Sequence, residues 1–244
     1  MGKGLKHLAA FLALIVLPWA TVQAQDVRTF VPAGAHQYAP LLADVQGRVW
    51  ASAPEPYTLA GQVEQESCIS LRHARCWNPR AELKTSREYG FGFGQITVAY
   101  RPDGSERFNT FEELKARYGS LSTWSWGDRY RADFQLQAVV EMDKTLYSVF
   151  PDAATTRDRW AFALSAYNGG KGGLLQDRLL CSNTRGCDPR VWFGHVEHTS
   201  LKTRKVNPGY GKSAFDINRE YPKLILDLRR DKYKSFWGEQ GAQK

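Results

Sequence analysis

Leu59-Ala60-Gly61-Gln62-Val63-Glu64-Gln65-Glu66-Ser67 is the stretch around which this 244-residue chain is organised. Leu59, Val63 and Glu66 recur at spacings of four and three, so on a helix they share one face. Gln62, Glu64 and Gln65 fall on the other faces, which makes the Leu59–Val63–Glu66 stripe the expected buried one. A glutamate on an apolar stripe is unusual, because desolvating a carboxylate is costly unless it is paired or protonated. Two readings follow. Glu66 is a boundary residue whose head reaches solvent, or it is a proton donor tuned upward by its surroundings.

Upstream, Lys3 and Lys6 precede an apolar run from Leu8 to Leu17, followed by Val22-Gln23-Ala24. A basic start, a short apolar core and small residues predict a Sec-type signal peptide over residues 1–24. The run is short for a transmembrane helix, and no cysteine follows it to carry a lipid; an uncleaved anchor is the rival reading. Export implies an oxidising compartment, the periplasm. The four cysteines, Cys68, Cys76, Cys181 and Cys187, allow three pairings. The short-range pairs Cys68–Cys76 and Cys181–Cys187 are expected, each closing a small polar loop. Neither pair has the spacing of a metal site, and no metal or other cofactor is expected.

Net charge is +8, of which the signal segment supplies Lys3 and Lys6. A basic surface suits polyanions in general, whether nucleic acid, anionic lipid or the peptide-bearing cell wall, and an exported protein rarely meets nucleic acid as its proper partner. The length supports one core, and there is no internal repeat. Residues 25–56, with Pro32, Pro40, Pro54 and Pro56, read as a loose lead-in with one short helix. Helices are expected at 58–71, 111–118, 131–150 and 158–168, a short one from Arg190 to His198, and one opening near Pro222. In 131–150 the stripe is Leu136, Val139, Val140, Asp143, Leu146 and Phe150. Alternating patterns are scarce, so the fold class is mostly α, with at most a small β-hairpin between Gln95 and Phe108 around Pro102-Asp103-Gly104. Residues 57–230 are expected to form one globular helical domain, and 231–244 a charged tail.

After Glu66-Ser67 come Trp77-Asn78-Pro79, Ser86 and Gly90-Phe91-Gly92-Phe93-Gly94-Gln95-Ile96. Alternating glycines let a backbone approach a ligand closely or take positive φ, and interleaved rings suit a sugar groove. A phosphate loop is excluded, since no Lys-Ser/Thr follows. The order ES, WNP, S, GxGxxQI, AYNGG (166–170) and REYPKLI (219–225) resembles the soluble lytic transglycosylase family, which has a lysozyme-like fold. The likeness runs from about Thr58 to Leu226.

The resemblance implies that Glu66 is the sole catalytic acid, with Ser86 and Tyr167 orienting it. It assigns Ser67, Gly92, Phe93, Gln95, Asn168 and Tyr221 to the sugar-binding cleft. It implies cleavage of peptidoglycan glycan strands between N-acetylmuramic acid and N-acetylglucosamine, without water, by a monomer. The chain departs from the family in three respects. Cys68 to Trp77 intervene where the family has about two residues, and a Cys68–Cys76 disulfide would pinch off that insertion. Gly94 stands for a methionine and Tyr89 for a glycine. The stretch from Gln95 to Tyr167 is long, suggesting an added lobe.

Two rivals remain. A muramidase of the same fold would hydrolyse the bond and would be favoured by a second carboxylate across the cleft; Glu82 and Glu88 are the candidates, although they lie on a polar stretch. The other rival is a catalytically silent wall-binding component of a secretion or conjugation apparatus. Weaker motifs carry little. His195, Glu197 and His198 lack HExxH order, Asp103–Glu106 reads as a turn, and Ser165 has no nucleophile-elbow context.

Overall fold

The computed structural model describes residues 27–207 and 211–241, with side chains to 238; the expected signal segment lies outside the described residues. The chain is mostly helical. The principal helices are α1 (Ala33–Val49), α2 (Thr58–Ser67), α3 (Thr110–Arg117), α4 (Ala132–Ser148), α5 (Thr156–Gly169), α6 (Lys171–Ser182) and α7 (Ala214–Lys223). Strands β1 (Glu82–Lys84), β2 (Glu88–Phe91), β3 (Ile96–Tyr100) and β4 (Glu106–Asn109) form one antiparallel sheet in sequential order; β5 (Val206–Asn207) and β6 (Lys212–Ser213) form a two-residue ladder.

Local chemistry sets the ends of these elements. The side chain of Asn109 caps α3 by accepting from the Glu112 N–H, and Thr155 caps α5 through Asp158. Ser213 and Asp216 make a reciprocal capping box on α7. Gly170, at φ +84°, ends α5.

Several boundaries differ from those read in the sequence. The region 25–56 is not loose: α1 is a 17-residue helix whose Ala35, Ala39, Leu42 and Val45 enter the main core. The helix packs along α4. Residues 231–238 are not a free tail either. Short 3₁₀ turns bring Tyr233, wholly buried, against Trp77 at 5.4 Å between ring centroids. Pro222 sits near the end of α7 rather than at a helix start, and a π-helical turn, Leu224–Arg229, follows it. From Arg190 to His198 only Val196–His198 is helical, as a single 3₁₀ turn.

α2 is the central strut, and here the helical-face reading needs correcting. Gln62 and Glu64 are as fully buried as Leu59 and Val63. The helix is wrapped on every side, with the Leu224–Arg229 and Arg230–Gly241 segments packed along it. At Gly61 a methyl group would stand 3.1 Å from the Arg230 backbone, so the small residue admits that neighbour. Glu64 is satisfied by Arg229 at 3.0 Å, Lys232 at 2.7 Å and the Tyr233 hydroxyl. A buried charge is tolerated only with such partners.

Both expected disulfides are present, Cys68–Cys76 and Cys181–Cys187. The first follows the end of α2 and closes the inserted loop. Replacing both Cys68 and Cys76 by serine should lower unfolding free energy by about 2.5 kcal/mol on chain-entropy grounds, read as a lower urea midpoint at unchanged slope. Among the described residues no helix is long and apolar enough to cross a membrane.

The sheet has two faces. Paired residues in antiparallel strands share a face, so Tyr89, Phe91, Ile96 and Val98 point one way, and Leu83, Glu88, Gly90 and Thr97 the other. The first set rests on a second apolar cluster that includes Phe111, Leu121 and Trp124. The other face is one wall of a cleft. The expected hairpin is the β3–β4 pair, turned at Gly104, but it is half of a larger sheet.

Candidate active site

Glu66 lies one residue before the end of α2, where the Cys68 backbone turns extended and its N–H closes back on the Glu64 carbonyl at 3.1 Å. Its carboxyl opens onto a cleft of about 360 Å³, whose lining includes Ser67, Glu88, Gly90, Gln95, Tyr167 and Asn168. Burial pushes the Glu66 carboxyl up to about 7, offset in part by a hydrogen bond donated by the Tyr221 hydroxyl. At neutral pH the group is therefore near half-protonated, able both to give and to take a proton.

The residues expected around Glu66 divide into those that face the cleft and those that build it. Ser67 touches the cleft, but its hydroxyl donates to the Val63 carbonyl at 2.7 Å and accepts from the Trp77 N–H at 3.1 Å. Asn168 lines the cleft, with its Oδ1 held by Asn218 at 3.1 Å. Gln95 lines it from an αL backbone, φ +44°, with its amide donating to the Gly92 carbonyl at 3.1 Å.

Four expectations are corrected by the geometry. Ser86 does not orient the acid: it is exposed on the β1–β2 turn, where a two-strand hairpin carries it away from the cleft lining. Tyr167 donates its hydroxyl to the Gly94 carbonyl at 2.8 Å, so it pins the glycine turn rather than the carboxyl. Tyr221, assigned above to sugar binding, is 4 % exposed and is the residue that bonds Glu66. Phe93 is wholly buried against Tyr38 and Trp77, and so belongs to the core.

The glycines are likewise a packing device in part. Gly92 has φ +75°, and a methyl group there would lie 2.2 Å from Gln135 Oε1; at Gly94 it would lie 2.5 Å from the Tyr167 hydroxyl. These two positions let the turn seat directly on α4 and α5, and Gly94 also lines the cleft. Gln135 completes the seat, accepting from the Phe93 N–H at 3.0 Å and donating to the Pro79 and Arg129 carbonyls at 2.9 and 2.8 Å. Nothing in the sequence marked Gln135, which lies on an otherwise ordinary amphipathic helix.

Both carboxylates considered as second acids line the cleft, and they differ in their partners. Glu82 shares a sheet face with Tyr89 and is tied to the hydroxyls of Tyr130 and Tyr89, which hold its carboxyl below the ordinary value. Glu88, on the opposite face with Gly90 and Thr97, lines the cleft, and its carboxylate makes no hydrogen bond or ion pair to the described residues.

Behind Glu66 stands a further acid. Asp143 of α4 is wholly buried, as is Gln62, one turn before Glu66, and the Gln62 side chain is the polar neighbour that favours the charged form of Asp143. Burial, with the Glu66 carboxyl nearby, holds the Asp143 carboxyl well above its ordinary range.

The remaining motifs are structural. Glu197 is engaged by Lys223 at 2.9 Å and by the Gly194 N–H at 2.8 Å, and the Ser165 hydroxyl bonds Asn218 at 2.9 Å.

Tyr221→Phe should raise the Glu66 carboxyl further, by about one pH unit, because it deletes a hydrogen bond to the charged form. A ¹³C titration of the labelled Glu66 carboxyl reads the shift; an unmoved or lowered midpoint would show that the hydroxyl does not stabilise the carboxylate.

Set against known proteins, the chain matches no family model and no curated protein.

Proposed function

We propose that this protein cleaves the β-1,4 bond between N-acetylmuramic acid and N-acetylglucosamine in peptidoglycan, as a lytic transglycosylase with Glu66 as its acid and base. The observation that carries the reading is the Glu66 carboxyl, raised by burial to about 7, at the wall of a cleft large enough for a sugar. Glu66 donates its proton to the glycosidic oxygen while the muramyl acetamido group stabilises the developing cation. The resulting carboxylate then takes the proton of the same residue's C6 hydroxyl, whose oxygen closes a 1,6-anhydro ring. No water is consumed, and Glu66 ends protonated, as it began.

A second reading is favoured by Glu88. A free carboxylate on the facing sheet wall can take a proton from water and direct it at the sugar, which would make the enzyme a hydrolase with two acids. The two readings differ in product mass. Digestion of peptidoglycan in H₂¹⁸O should give fragments one water lighter than reducing-end sugars, with no ¹⁸O. Reducing ends carrying one ¹⁸O, lost in Glu88→Gln, would replace transglycosylation with hydrolysis.

The setting follows from the same reading. The disulfides fit an oxidising compartment, and a Sec signal over 1–24 would deliver the chain to the periplasm. Its partners would be glycan strands, in wall turnover, in opening the wall for a secretion or conjugation machine, or in phage lysis.

A further inference from the structure

The acid's cleft does not stop at the acid. A second cleft, of about 450 Å³, adjoins it across the same sheet face, and the two share Glu88, Gly94, Gln95, Thr97, Tyr167 and Asn168. Together they form one groove. It begins at the disulfide loop, where Ile69 and Arg75 line it, crosses β2 and β3 beside Glu66, and leaves past Arg107 and Phe108 on β4.

Among the described residues, the lining at each end includes side chains that stand in solvent. Ile69 is 79 % exposed at one end, and Arg107 is exposed at the other. An enzyme that trims a strand from its terminus needs a barrier just beyond the last sugar it binds, and the residues at both mouths stand in solvent instead. Each mouth also carries a guanidinium, Arg75 or Arg107, on the lining. Two cations flanking the acid suit a polymer that bears carboxylates along its length, on its lactyl groups and peptide stems.

We infer that the groove binds the interior of a glycan strand, with sugars on both sides of Glu66, and that cleavage is endolytic, Arg75 and Arg107 gripping anionic substituents on either side of the cut. This rests on the glycan-cleaving reading above.

The test uses the full mature chain and long, uncross-linked glycan strands labelled at one terminus. Early in the digest, the label should appear in fragments of many lengths while mean strand length falls steeply. Arg107→Ala should raise KM for these strands severalfold, and so should Arg75→Ala. Steady release of small fragments from one terminus, with the remainder staying long, would overturn the endolytic inference and leave glycan cleavage standing. An unchanged KM in both arginine variants would remove the two cations from strand binding. No cleavage of any strand by the wild-type chain would overturn the parent reading, and this inference with it.

Discussion

Glu66→Gln stabilises the fold at neutral and alkaline pH. The carboxyl titrates at about 7 in the folded chain against an ordinary value of 4.5. Between those values the unfolded chain has lost the proton and the folded chain keeps it. The unfolded state then binds fewer protons, so stability falls as pH rises from about 4.5 to about 7, and stays lowered above that. The full loss is up to about 3 kcal/mol. Glutamine has the same shape and no charge, so it avoids this loss. Thermal melts at pH 4.5 and pH 8 should show the variant near wild type at the lower pH and clearly above it at the higher. A gain independent of pH, or a loss at pH 8, would mean that Glu66 ionises freely in the folded state.

The converse holds two residues earlier. Glu64→Ala should cost about 3–5 kcal/mol, because it strands a buried cation rather than removing a lone one. Lys232, with its side chain 3 % exposed, lies 2.7 Å from Glu64, and Arg229 lies 3.0 Å away. Without the carboxylate their charges sit in the protein interior, the Tyr233 hydroxyl loses its acceptor, and the Arg230–Gly241 segment loosens from α2. The melting temperature should fall by roughly 10 °C. A change within a degree or two would show that water takes over the glutamate's role.

These neighbours mark what the sequence could and could not disclose. The apolar spacing of Leu59, Val63 and Glu66 places the acid on a buried face, and the bracketing cysteines mark the loop that follows. The same spacing misreads Gln62 and Glu64 as solvent-facing, because periodicity reports one buried face and α2 has none exposed. What covers its other side is the segment near Tyr233, more than 150 residues downstream, where a run of charges suggested a tail. Asp143 is legible by the same logic as Glu66, as an acid on the apolar stripe of residues 131–150.

The cleft walls divide in the same way. Glu88 and Gly90 alternate along β2, so their shared face follows once the strand is known. Which face meets the acid does not follow, because it depends on Phe91 and Ile96 settling on Trp124 and Phe111. The exchange of roles between Tyr167 and Tyr221 is a matter of where two hydroxyls end in space, set by how α5 and α7 pack; spacing along the chain carries no trace of it.

The central claim is that Glu66 cuts glycan strands. The most direct measurement is the release of soluble fragments from purified peptidoglycan by the mature chain and by its Glu66→Gln variant, at equal concentration and with the fold of each verified. The wild type should release fragments, and the variant should be slower by roughly 10²–10⁴-fold, the span that general acid–base catalysis supplies. Equal release by both would remove Glu66 from the chemistry, and no release by either, with both still sedimenting on the wall, would make this a binding protein rather than an enzyme.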